Sequence, residues 1–207
     1  MRASNLRLVN ARRVTIAASL VVLALAIAGI ITTPKCGDDR GLGPVIALEL
    51  STSGTQVGAL LTSPECISGL RENTLFDIFA FIPSFTVFLI AASVMLGRKL
   101  AAPIFALGAI CDWLEDSVML HILGMPMPTF EWLSALMFAS RLKFFALSVG
   151  IIVLGWTAKT FARARGLLMI IGGAIAIIGL TIDHRILMPG TLIAWFSLAA
   201  FALRDPR

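Results

Sequence analysis

Residues 101–123 read AAPIFALGAICDWLEDSVMLHIL, a run long enough to cross a bilayer core that nevertheless carries Asp112, Glu115 and Asp116. The acids stand at i, i+3 and i+4, so a helix places all three carboxyls on one face, which continues to Met119 and back to Gly108. The surroundings decide whether this run belongs in water or in lipid. Of 207 residues, 58% are hydrophobic and 14% charged, against about 25% charged in an average soluble domain. Mean hydropathy is +0.93. Further apolar runs lie at 14–32, 75–96, 130–157, 166–182 and 186–203. A water-soluble globular protein is excluded, and the reading is an all-α, polytopic transmembrane helical bundle of six spans.

The basic residues follow the same plan. Arg2, Arg7, Arg12, Arg13, Arg98, Lys99, Lys159, Arg163, Arg165, Arg204 and Arg207 fall on one side of the expected spans, and only Lys35, Arg40, Arg71 and Arg185 on the other. This bias predicts N- and C-termini in the cytoplasm of a bacterial cell and a multi-pass protein of its inner membrane. The net charge of +5 is thereby explained without nucleic acid, since no segment interleaves basic and aromatic residues on a soluble face. The expected organisation is a cytoplasmic segment at 1–13, a first span at 14–32, an extracytoplasmic cap at 33–74, a five-helix bundle at 75–203 and a cytoplasmic tail at 204–207. Cleavage of the first span as a signal peptide is the competing reading, with Arg12 and Arg13 as its basic region and Ala26-Ile27-Ala28 as the cleavage site.

Local signals refine the spans. Pro83 inside the second should bend it or open a local polar spot. Gly124-Met125-Pro126-Met127-Pro128 is a rigid turn, and Thr129 can cap the next helix. Trp132 and Trp156 mark the two ends of that helix as an aromatic belt does. Gly172, Gly173 and Gly179 allow close helix approach. Asp183-His184-Arg185 must form the last turn. In the cap, Gly41-Leu42-Gly43-Pro44 reads as a turn, 45–50 as a short strand or helix start, and Thr52 or Ser53 as the cap of a short helix. Cys36 and Cys66 both lie there, on the oxidising side, and a disulfide joining them is expected. Cys111 lies within the third span.

Ionisable groups inside a membrane face a bundle interior or a wet cavity. Three adjacent carboxylates cannot all stay ionised in low dielectric, so at least one should be protonated or paired. Arg141 and Lys143 are the available bases, about 15–18 Å below the outer helix ends, against about 10–17 Å for the acids. Being two residues apart they point to nearly opposite sides, and the planar fork of Arg141 makes it the expected partner of Asp112 or Asp116. Lys143 shares its stripe with Ala139, Ala146 and Gly150, a surface suited to tight packing. Asp77 is counted with this intramembrane polar cluster, the competing reading being an interfacial acid in the first turn of the second helix. His121 and His184, near helix ends, are weak metal candidates.

At these residues the sequence resembles a family of bacterial polytopic membrane proteins without established activity. The resemblance rests on Ile46-Ala47-Leu48-Glu49-Leu50, Leu75-Phe76-Asp77-Ile78-Phe79, Asp112-Trp113-Leu114-Glu115-Asp116 and Arg141-Leu142-Lys143. The family's Asp-x-x-Glu-Asn pattern has Asp116 here in place of Asn. It implies the same architecture and supplies no reaction.

The sequence has no P-loop, dinucleotide glycine fingerprint, His-Glu-x-x-His or Gly-x-Ser-x-Gly. The leading expectation is a non-enzymatic membrane protein: an accessory or assembly component with a protein partner in a membrane complex, or a binder of a lipid or small ligand. The alternatives are a proton-coupled transporter or channel-like protein using the span-three carboxylates, and an intramembrane lipid-modifying enzyme. No cofactor is indicated.

Overall fold

A computed structural model describes residues 2–204, with side chains from Val9 onward. The side chains of Arg2 and Arg7, and Arg207 of the expected tail, lie outside the described residues. The fold is all-helical, with no strand among the described residues. The elements are α1 (Arg2–Thr32), α2 (Pro44–Glu49), α3 (Gly54–Leu60), α4 (Pro64–Phe76), α5 (Ile82–Met95), α6 (Ala101–Ile122), α7 (Phe130–Ala158), α8 (Arg163–Thr181) and α9 (Leu187–Arg204). One π-helical turn, Asp77–Phe81, joins α4 to α5, and a 3₁₀ turn, His184–Ile186, leads into α9.

Five helical stretches are long and apolar enough to cross a membrane: Val9–Thr32, Pro64–Met95, Phe130–Ala158, Arg163–Thr181 and His184–Arg204. This is a multi-pass membrane protein, and large apolar side chains such as Ile30, Ile31, Phe79, Phe138 and Ile182 accordingly stand on its outer surface. With 22 residues, α6 matches the others in length at about 33 Å. Asp112, Glu115 and Asp116 sit so centrally that no 18-residue stretch of α6 avoids them, which separates it from the five by composition.

The long helices form a ring in chain order, each packed on the next from α1 through α5, α6, α7 and α8 to α9, which returns to α1. At one end of the ring Arg12 donates to the α9 carbonyls of Ala202 (2.9 Å) and Leu203 (3.0 Å). A cation is thereby set against the negative end of α9 and its unsatisfied carbonyls. Beside it, Arg98 of the α5–α6 turn donates to Thr157 Oγ1 of α7 at 2.5 Å. The α8–α9 seam is close-packed. A Cβ on Gly172 would lie 2.6 Å from Ala194 N, and one on Gly190 would lie 2.6 Å from Ala176 N, so only glycine lets these backbones meet.

At the other end, α2 and α3 cover the helices. Leu48, Val57, Leu60 and Leu70 pack with Met119, Ile122, Leu133 and Leu136 around the α6–α7 turn. A few residues away, Leu50 and Ile46 meet Phe144, Ala176, Leu180 and Leu187, so α2 fills the mouth of the ring. A short buried helix must find partners for its last carbonyls. Here Ala47 O accepts from the Arg40 guanidinium and from Ser51 Oγ, and Glu49 O accepts from Ser140 Oγ of α7 at 3.3 Å. Ser53 caps α3 by accepting from Gln56 N. Thr129 stands at the N-cap of α7 without a side-chain cap bond. Cys36 and Cys66 are disulfide-bonded with Cα atoms 5.0 Å apart, tying the exit of α1 to the first turn of α4.

One boundary differs from the sequence reading. The helix expected from residue 75 begins at Pro64, so 64–74 are helical and continuous with it. The polar residues Glu65, Ser68, Arg71, Glu72 and Asn73 interrupt the apolar pattern without interrupting the helix, which Ser63 starts by accepting from Cys66 N at 3.2 Å.

Candidate functional site

Pro83 determines the local geometry from which the site is built. Its ring denies the chain a regular α-helical turn below it, and Ile82 N–H bonds back five residues to Asp77 O. The next bond of that pattern would run from residue 83 to Ile78 O, and proline has no N–H to make it. Trp113 Nε1 of α6 donates to Ile78 O instead, at 3.1 Å. The polar spot expected at Pro83 is thus a π turn latched to the helix that carries the acids. Asp77 opens this turn in mid-helix and lines an internal cavity. The first-turn interfacial reading of Asp77 is therefore corrected, because α4 continues the helix above it.

The cavity, about 390 Å³, lies inside the ring. Its walls come from every long helix and from α2. Most of the lining is apolar, including Leu25 and Ala26 of α1, Phe81 and Phe85 below Asp77, Leu147 of α7 and Leu192 of α9. Glu49, Asp77, Asp112 and Lys143 are its charged members. Lys143 Nζ lies 2.8 Å from Glu115 Oε2, 3.0 Å from Asp112 Oδ1 and 3.5 Å from Glu49 Oε2. The Lys143 side chain is 7% exposed, Glu115 0% and Asp112 15%, so Asp112 is the most open of the three while Glu115 is sealed off from the cavity. Burial pushes the Glu49 carboxyl up, opposed by the nearby Lys143 ammonium. Asp116 is buried, and its Oδ2 has no hydrogen-bond partner among the described residues.

The expected pairing of Arg141 with Asp112 or Asp116 is overturned. Arg141 is exposed on the outer surface of α7, in a depression with Met137, Phe138, Leu142, Phe145, Leu180 and Thr181. The rotation of α7 about its axis decides this, not the shape of the cation. Ala139, Ala146 and Gly150 turn inward to pack, and Lys143 on their stripe turns inward with them. Sequence reasoning also missed Glu49 as a partner. Its only signal was a single acid in the otherwise apolar 44–50, a residue that resembles surface until α2 is seen to be buried.

The histidines lie apart from this cluster. His121 packs on Trp132 with ring centroids 4.2 Å apart, and His184 Nδ1 donates to Gly179 O at 2.9 Å. Among the described residues no group of three His, Cys, Asp or Glu side chains is placed to hold a metal. Cys111 is a buried free thiol.

The fold and site define a class: a multi-pass membrane protein whose helices enclose a largely apolar cavity ending on an ion-paired lysine. No family model, curated protein or solved structure matches the chain.

Proposed function

We propose that the protein binds an amphiphilic ligand, a lipid or lipid-like small molecule, inside the bilayer. The observation that carries this is the shape and chemistry of the cavity. A volume of about 390 Å³ falls in the range of small-molecule sites, which are mostly apolar with a few convergent polar groups. Here Glu49 and Asp112 are gathered on Lys143, and Asp77 is the remaining charged group of the wall. A ligand with a tail and a head matches that division.

In this reading α6 is a sixth span, since its acids turn inward onto Lys143 and need not face lipid. The segment carrying α2 and α3 is then extracytoplasmic, consistent with its disulfide. Both termini are cytoplasmic in a bacterial inner membrane, where the charge bias puts them. The protein acts as a binder or accessory component, not through catalysis of its own.

The test is extraction and mass spectrometry of small molecules retained by the purified protein, compared with Ala26→Trp. Ala26 lines the cavity and is only half-buried, so the indole fills the site without displacing core. The wild type should retain an amphiphile near one per chain and the variant about tenfold less. Equal retention by both overturns the reading.

A further inference from the structure

The composition of the polar end and the packing of α1 say more about the ligand. Three carboxylates, Glu49, Asp77 and Asp112, line the cavity against one ammonium. That ammonium is already within 3.5 Å of Glu49, Asp112 and the sealed Glu115. An incoming head therefore meets carboxyl oxygens that no cation holds, chiefly those of Asp77 and the exposed part of Asp112. A phosphate or sulfate head would find its only counter-ion occupied. A cation would find carboxyls able to ionise against it.

One further group in the wall awaits a partner. Trp195 lines the cavity, is 8% exposed, and its Nε1–H has no partner among the described residues. Buried polar atoms left unbonded are uncommon, and this N–H, a donor, calls for an acceptor such as water in the cavity beside the head.

Access follows from α1. It contributes Ala11, Ala18 and Val22 to the core shared with Leu198, Phe201 and Ala202 of α9. Beyond Val22 no residue of α1 is buried. Leu25, Ala26, Gly29 and Ile30 line the cavity, facing Met188 and Leu192 of α9 across it. A Cβ on Gly29 would meet nothing within 4 Å. The α1–α9 seam is thus closed at the Arg12 end and parted at the α2 end.

We infer that the cavity receives an amphiphile with a single cationic head, of the long-chain amine or quaternary ammonium class. Its head lies against Asp77 and Asp112, and its tail leaves between α1 and α9 into the bilayer. This rests on the amphiphile-binding reading and specifies its ligand.

The experiment uses the full-length protein in lipid nanodiscs and three photoreactive probes with the same C12 tail bearing a terminal diazirine: a trimethylammonium, a sulfate and a maltoside head. Cross-linked peptides are mapped by mass spectrometry. The ammonium probe should label residues 24–31 of α1 and 188–196 of α9 saturably, at least tenfold above the sulfate probe. Asp77→Asn, which breaks no ion pair of Lys143, should lower that labelling about tenfold, and Asp112→Asn should do so in whatever fraction folds. If the sulfate or maltoside probe labels the same peptides as well as the ammonium, the cationic head is wrong while amphiphile binding stands. If the ammonium labels peptides elsewhere, the α1–α9 path is wrong. If no probe labels saturably and Ala26→Trp retains what the wild type retains, both readings fall.

Discussion

The α8–α9 seam and the α1–α9 seam are built on opposite principles. In the first, glycines bring two backbones so close that a methyl group has no room; in the second, two helices share one end and face each other across open space at the other. The contrast assigns different tasks to the two sides of the ring. One packs two helices without a gap, and on the proposed binding reading the other is where a ligand would enter. Where stability resides and where binding resides should therefore be separable by mutation.

The largest effect is expected between the seams, at the ion-paired cluster of α7, α6 and α2. Lys143→Met leaves Asp112, Glu115 and Glu49 without their shared cation, a loss of about 3–5 kcal/mol for a broken buried pair. Arg141→Met, two residues away on the exposed face, should stay within about 0.5 kcal/mol. Thermal unfolding in detergent, followed by circular dichroism, measures both, and equal losses would erase the distinction between the two faces of α7.

Smaller effects separate the seams themselves. Gly172→Ala forces a Cβ to within 2.6 Å of Ala194 N and 2.7 Å of Gly190 O, and overpacking of this kind costs about 1–3 kcal/mol. Gly29→Ala meets open space and should be neutral or slightly stabilising. The same unfolding measurement reads this pair, and a destabilising Gly29→Ala would mean that the α1–α9 seam closes against α1 there. Smaller than the Gly172→Ala effect, Arg12→Gln removes a charged partner of two α9 carbonyls. It should lower stability by about 0.3–1 kcal/mol and raise hydrogen exchange at residues 198–204, leaving α8 unchanged.

Most helices were legible because lipid demands long apolar runs, and the expected spans at 130–157, 166–182 and 186–203 lie within a few residues of α7, α8 and α9. The Cys36–Cys66 bond was legible from compartment and count. Pro83 announced a local distortion, and it produced one. What could not be read was which way a helix faces. Side chains on α7 are apolar on nearly every side, so hydrophobic periodicity gives its rotation no preferred direction, and the choice between Arg141 and Lys143 fell to side-chain shape. Small residues beside Lys143 were the better guide, because backbones approach where side chains are short. Glu49 was hidden for another reason: nothing local to 44–50 tells that another part of the chain closes over it.

The π turn at Asp77–Phe81 has an evolutionary corollary. Such a turn is what one surplus residue makes of an α-helix that must keep both flanking segments. Excising a single residue from it would restore ordinary winding and swing everything upstream through about 100°. That rotation would carry Asp77 off the cavity wall and pull Cys66 out of line with Cys36, so an acid and a cross-link far apart in chemistry are inherited together as one length of chain.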